Sequence, residues 1–157
     1  MAIVANAIIK SYLFPTSARK TALRLLGVRA GRGSGIRAGV TITGPNLTLG
    51  DEVFVNFGVV LNTSAGIVLE DGVALGLDVM LTTIDHEFGP PSRRAGEPVR
   101  MPIRVGAGTW IGSRALVLPG VTIGSGCIIG AGSVVNRDCE PNGLYVGVPA
   151  RRVRELS

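Results

Sequence analysis

The chain has 157 residues, of which 23 are glycine, about twice the roughly 7% of average usage. Hydrophobic residues make up 46% and aromatics only 4%, which excludes a disordered chain, and the glycines lack the three-residue spacing of collagen. The net charge of +5 is laid out in blocks: seven cations and no acid over 1–40, seven acids and no Lys or Arg over 41–92, nine arginines against four acids over 93–157.

From the N-terminus, an apolar start (2–9) has no basic stretch before it and no small-residue cleavage site after it. That is not the pattern of a signal peptide, and a cytoplasmic protein is expected. No apolar run reaches the ~18–20 residues of a membrane span. Residues 5–14 and 17–26 are predicted helical, the second as a basic amphipathic stretch, with Pro15-Thr16-Ser17 as a start and Gly27 as a stop. Residues 1–35 are thus expected to cap a repeat, since terminal repeats need a cover. A membrane-surface contact through this basic, apolar pair is the alternative.

A period of six follows. Ile36 and Ile42 begin it, Leu49, Val55 and Leu61 resume after a slip at Gly44-Pro45, and Leu69, Leu75 and Leu81 after another near 64–66. The register is strictest in Val105, Ile111, Val117, Ile123, Ile129 and Val135, with glycine next at Gly106, Gly112, Gly124 and Gly130. Neither a helix nor a free strand has this period; it belongs to hexapeptide β-helices. Each unit is one short strand and one turn, three units close a triangular coil of 18, and the aliphatics fill the prism. The glycines are expected to supply positive φ at the turns. Val105 should lie under Ile123 and Ile111 under Ile129. Cys127 and Cys139 read as small inward fillers; two cysteines are too few for a disulfide framework or a Cys-only zinc site.

The prism is thereby expected over 36–140, interrupted by an excursion loop at 87–102 rich in proline and arginine, with a tail at 141–157. Loops of that length are often functional. His86, the one histidine, stands where the loop begins, and its ordinary pKa suits general-base chemistry near neutrality. The C-terminal arginines suit a small polyanion better than nucleic acid, because aromatics for base stacking are scarce and no nucleic-acid motif occurs.

The run "WIGSRALVLPGVTIGSGCIIGAGSVV", followed by "VGVPARRVREL", is similar to the hexapeptide-repeat acetyltransferases, particularly their galactoside/maltose branch, over about residues 49–156. The resemblance implies a left-handed parallel β-helix, a homotrimer, and acetyl-CoA as co-substrate in the cleft between prisms, with no permanent cofactor and no metal. It implies His86 as the base and Asn56 on the acceptor side. It also implies Trp110 beside the CoA arm, Gly76, Ser113 and Ala131 along the pantetheine, Arg137 at a site often lysine, and Arg151 and Arg154 near the 3′-phosphate. Arginine forks suit phosphate. Three features depart from the sugar enzymes of that branch: Glu87 follows His86 where proline is usual, no acid stands near Thr63-Ser64, and only 1–35 replaces a longer helical domain.

O-acetylation of a sugar or glycan precursor is therefore the leading expectation, with N-acetylation of an amino sugar as a close variant. A zinc γ-carbonic anhydrase needs three histidines per metal, and this chain has one. A non-catalytic β-helix scaffold remains the alternative outside enzymes; it predicts no affinity for CoA.

Overall fold

An aliphatic at every sixth position can face one interior only if the backbone bends after each short strand. The computed structural model, which describes residues 2–157, shows the chain doing so. Two helices come first, α1 (Ala2–Lys10) and α2 (Thr16–Leu25). The first coil is β1 (Arg29–Ala30), β2 (Gly35–Ile36) and β3 (Thr41–Ile42). The second is β4 (Leu47–Leu49), β5 (Phe54–Val55) and β6 (Val60–Asn62), and the third β7 (Ile67–Leu69), β8 (Ala74–Leu75) and β9 (Met80–Thr82). An antiparallel hairpin, β10 (Ile84–Phe88) and β11 (Ala95–Arg100), interrupts the winding. The fourth coil is β12 (Ile103–Val105), β13 (Trp110–Ile111) and β14 (Leu116–Val117), and the fifth β15 (Thr122–Ile123), β16 (Ile128–Ile129) and β17 (Val134–Val135). A further rung, β18 (Gly143–Val146), is followed by β19 (Arg151–Glu155), which folds back antiparallel onto it.

The result is a mostly β solenoid of about six turns with two short helices at its N-terminal end. Its first side is β1-β4-β7-β12-β15, its second β2-β5-β8-β13-β16-β18 with β19 at the edge, and its third β3-β6-β9-β14-β17. Val105 pairs with Ile123 and Ile111 with Ile129, the stacking that the period of six predicts. Inward residues form columns, such as Ile36, Val55, Leu75, Ile111 and Ile129 down the second side, none more than 2% exposed. The buried hydroxyl of Thr109 finds partners one coil away: its Oγ1 donates to the Gly124 carbonyl at 2.9 Å and accepts from the Cys127 N–H at 3.1 Å.

Both slips lie on one edge. Ile36 pairs with Val55, 19 positions on, and Leu49 with Leu69, 20 on, whereas Val105 pairs with Ile123 at the strict 18. The extra residues sit where the third side turns into the first, and the hairpin leaves from that same corner. Leu69 pairs with Val105, 36 positions on, so the hairpin adds one coil's length without disturbing register. The stretch read as an irregular loop over 87–102 thus holds most of a hairpin that begins three residues earlier, at Ile84. Likewise β1 and β2 begin inside 1–35, and β18 continues the second side inside 141–157.

At the lower end α1 and α2 cover the first coil, burying Ile9, Leu23 and Leu26. Gly39 N–H donates to the Lys10 carbonyl at 2.9 Å. Arg19 is not part of a solvated basic face: it is 7% exposed, and its guanidinium donates to the Ser11 carbonyl at 2.9 Å.

The glycines obey a rule other than the expected one. Gly106, Gly112, Gly124 and Gly130 do not have positive φ; that conformation falls two residues later, at Gly108, Gly126 and Gly132, and at Arg114 without glycine. The earlier glycines are set by stacking, since a Cβ on Gly112 would come within 2.6 Å of the backbone N of Ala131 in the next coil. Overpacking of this kind costs about 1–3 kcal/mol. Gly112→Ala should therefore lower Tm by several degrees, at roughly 2–4 °C per kcal/mol for a chain this size. Gly35→Ala, with nothing within 4 Å of its Cβ, should hold or raise it. Equal Tm values in calorimetry would contradict the stacking account.

A second prediction concerns the hairpin, in which no residue of β10 or β11 is buried. Replacing residues 83–102 by Pro-Gly, the pair at the same corner in the fourth coil (Pro119-Gly120), should leave a cooperative unfolding transition by circular dichroism. Loss of that transition would make the hairpin part of the core.

Candidate active site

The corner between the second and third sides carries one residue per coil in vertical register: Arg37, Asn56, Gly76, Gly112 and Gly130. The amides of Arg37, Asn56, Gly76 and Gly112 each donate to the strand carbonyl of the coil above, at 2.7–3.2 Å. Ser113 and Ala131 follow one residue on, so four of the expected site residues (Asn56, Gly76, Ser113, Ala131) mark a single edge. It is low-walled above Asn56, because a Cβ on Gly76 would approach the Ser113 N to 2.7 Å. Asn56 belongs to no asparagine ladder, since arginine stands below it and glycine above. Its Oδ1 accepts the Phe57 N–H at 2.9 Å.

Trp110 lies on the flat second wall rather than in a turn, paired with Ala74 and Ile128 and 54% exposed. Arg151 and Arg154 extend from β19 on the same side. Arg151 is held by the Ala150 carbonyl at 2.7 Å and Asn136 Oδ1 at 3.5 Å. The neighbouring Arg152 is engaged by Glu155 at 3.2 Å and the Pro141 carbonyl at 3.1 Å. Arg137 follows β17, exposed, at the corner between the third and first sides.

His86 stands apart from this edge. It lies on the outgoing strand of the hairpin, exposed, opposite Pro98, with the ladder shifting register between His86 and Phe88. Such bulges re-aim side chains. Its backbone N–H donates to Asp85 Oδ1 at 2.8 Å. Two threonines anchor the hairpin base: Thr82 Oγ1 donates to the Ile84 carbonyl at 3.1 Å, and buried Thr83 Oγ1 donates to the Asn62 carbonyl at 2.8 Å. Thr83 Oγ1 also accepts from the Ala65 N–H at 3.0 Å. The hairpin that carries His86 leaves from the corner at the far end of the third side from Asn56.

Sequence reading takes the Leu-Thr-Thr-Ile-Asp run ahead of His86 as its hold on the prism edge, but passed over Asn62, whose carbonyl accepts from Thr83. It also passed over Arg37, whose guanidinium lies 5.4 Å from the Phe54 ring centroid and 5.8 Å from that of Phe57. Among the described residues, no group of three or more His, Cys, Asp or Glu could hold a metal ion, and no helix is long and apolar enough to cross a membrane.

The comparisons agree with this fold. Residues 102–137 match the family described as "Bacterial transferase hexapeptide (six repeats)". The galactoside O-acetyltransferase of Escherichia coli strain K12 is 36% identical over 114 residues, 73% of this chain and 56% of that protein. A hexapeptide-repeat acetyltransferase of Vibrio cholerae, solved with acetyl-CoA, superposes with a TM-score of 0.91 at 32% identity, covering 99% of this chain and 85% of that one. A perosamine N-acetyltransferase variant of Caulobacter crescentus, in complex with CoA and GDP-perosamine, gives a TM-score of 0.64 at 33% identity over 82% of this chain and 51% of that one. The chain belongs to the hexapeptide-repeat acetyltransferase family, within which it is similar to the galactoside enzymes. Its match spans just over half the length of the E. coli relative.

Both cysteines are free and buried, and burial foremost pushes the Cys139 thiol up to about 12, the neighbouring Cys127 and Asp138 adding to the shift. Thiolate is the reactive form. A thiol reagent at pH 8 should therefore titrate neither cysteine in the folded protein and both in denaturant. Rapid reaction of the native protein would contradict the burial.

Proposed function

We propose that the protein transfers an acetyl group from acetyl-CoA to a hydroxyl of a sugar or glycan precursor, directly and at the interface of a homotrimer. The observation that carries this reading is the split between two edges. Asn56, Gly76, Ser113 and Ala131 form one open line, while His86 projects on a hairpin from another. A neighbouring copy whose hairpin reaches across that line supplies the missing histidine. The arrangement supports a site shared between subunits.

In the proposed step His86 takes the proton of the acceptor hydroxyl as its oxygen attacks the thioester carbonyl. A backbone N–H stabilises the resulting oxyanion, which collapses by breaking the carbon–sulfur bond. The leaving thiolate then takes the proton from His86, so no covalent enzyme intermediate forms. Along the line, Gly76, Ser113 and Ala131 leave room for the pantetheine arm, with Trp110 beside it. Arg137, Arg151 and Arg154 offer charge to the CoA phosphates. Asn56 meets the acceptor.

The N-acetylation variant has one observation in its favour, the likeness to the Caulobacter perosamine N-acetyltransferase. The same base serves an amine nucleophile.

General-base catalysis contributes about 10²–10⁴-fold. His86→Ala should lower kcat in a thiol-release assay on that scale, while CoA still raises its Tm by ligand linkage. Undiminished turnover in that variant would remove His86 from the mechanism; a wild type that CoA does not stabilise would favour a non-catalytic scaffold.

A further inference from the structure

Below Asn56 on the same edge lies a cation that, among the described residues, pairs with no acid. Arg37 is one rung down, its amide donating to the Val55 carbonyl at 2.9 Å. Its guanidinium lies over the rings of Phe54 and Phe57, which are 37% and 38% exposed. Tyr12, from the connection after α1, stacks on Phe57 with ring centroids 6.0 Å apart and planes 3° from parallel. A cation held over ring faces keeps its N–H donors at the rim. Among the described residues no carboxylate, carbonyl or hydroxyl accepts from them. The acid two rungs up the edge, Asp78, is faced by Arg114 at 3.7 Å. A cavity of about 210 Å³ opens beside Arg37, lined also by Thr16, Gly35, Ile36 and Phe54.

Resting on the acetyltransferase reading, in which the acceptor meets Asn56, we infer that the acceptor carries an anionic oxygen group, a phosphate or a carboxylate, received by Arg37. The order along the edge fits: pantetheine at Gly76, Ser113 and Ala131, the reacting hydroxyl at Asn56, the anionic end at Arg37. The aromatic surround serves the same end. Phe54, Phe57 and Tyr12 offer faces for a sugar ring and limit the water that competes for the guanidinium. A neutral sugar leaves those donors to solvent, whereas an anion engages two of them in a planar fork.

The test compares glucose, glucose 6-phosphate and glucuronate, by calorimetric binding with and without CoA and by KM for acetyl transfer. At least one charged sugar should bind ~10-fold or more tightly than glucose, as expected for hydrogen bonds to a charged group. The phosphate and carboxylate arms identify which anion is preferred. Arg37→Gln should bring the ratio close to one, and Arg37→Lys should retain part of it, because a point charge lacks the fork. Equal affinities for the three sugars, no measurable affinity for either charged one, or a ratio that survives Arg37→Gln would each overturn the inference. Any of these in a protein that CoA still stabilises leaves the acetyltransferase reading standing. Absence of CoA stabilisation strikes that reading instead, and the binding ratio without CoA judges Arg37 by itself.

Discussion

Everything in this molecule depends on one coil's backbone fitting closely onto the next. Strands of two or three residues are too short to hold a sheet by themselves; they persist because each is one rung of a ladder five or more strands tall. The ladder requires the corners to nest as well as the walls. The residue after the inward aliphatic must therefore lack a Cβ where the next corner presses on it, as at Gly112 under Ala131. Two residues later the chain must enter the left-handed region, which glycine adopts without strain and which Glu52, Asp78, Arg114 and Asn142 adopt at some cost. Acids close other corners by accepting backbone donors. Asp51 takes the Arg32 N–H at 2.8 Å, a bond that holds its carboxyl below the usual range, and Asp71 takes the Asp51 N–H at 2.8 Å. Much of the acidic block of the sequence is thus corner structure.

The proposed site follows from what nesting leaves free. On the edge between the second and third sides no insertion is tolerated in the first five coils, so that edge stays straight. On the edge between the third and first sides the chain slips by one residue, then two, then leaves altogether as a hairpin. A straight edge can hold a long, thin ligand; an irregular one can throw out a side chain. The two properties occupy different corners of one triangle, which is why the proposed chemistry calls on two copies.

The prism was legible because its signal is redundant: six aliphatics in strict register fix the interior, and Val105 on Ile123 follows from counting. The slips at Gly44-Pro45 and near Ser64 were legible too, since a one- or two-residue insertion shifts every later aliphatic. The hairpin was not. Its residues bury nothing, so they show no periodicity, and Pro98 in the returning strand reads as a loop residue. The role of the Ile-Gly glycine was misjudged for a physical reason: a missing Cβ looks the same in sequence whether it frees φ or admits a neighbouring backbone. Among the candidate site residues, those on a single edge could be placed by arithmetic alone. His86 could not, because it stands on a hairpin, anchored at its base by the buried hydroxyl of Thr83, that has no periodicity to count. Arg37 gave no sign, since one cation among seven in the first 40 residues is indistinguishable until the fold sets it over two rings.

A stack of parallel rungs has two bare ends, and each end offers unpaired amides and carbonyls to any further strand. Here α1 and α2 lie across the lower end. At the upper end the chain turns back on itself, with Ala150 N–H donating to the Val134 carbonyl at 2.8 Å and β19 lying along β18. Head-to-tail growth into a fibre is thereby blocked from both directions, although every internal rung is the kind of surface from which fibres grow. The flanks differ from the ends, because their exposed groups are side chains rather than open backbone and any contact there depends on sequence.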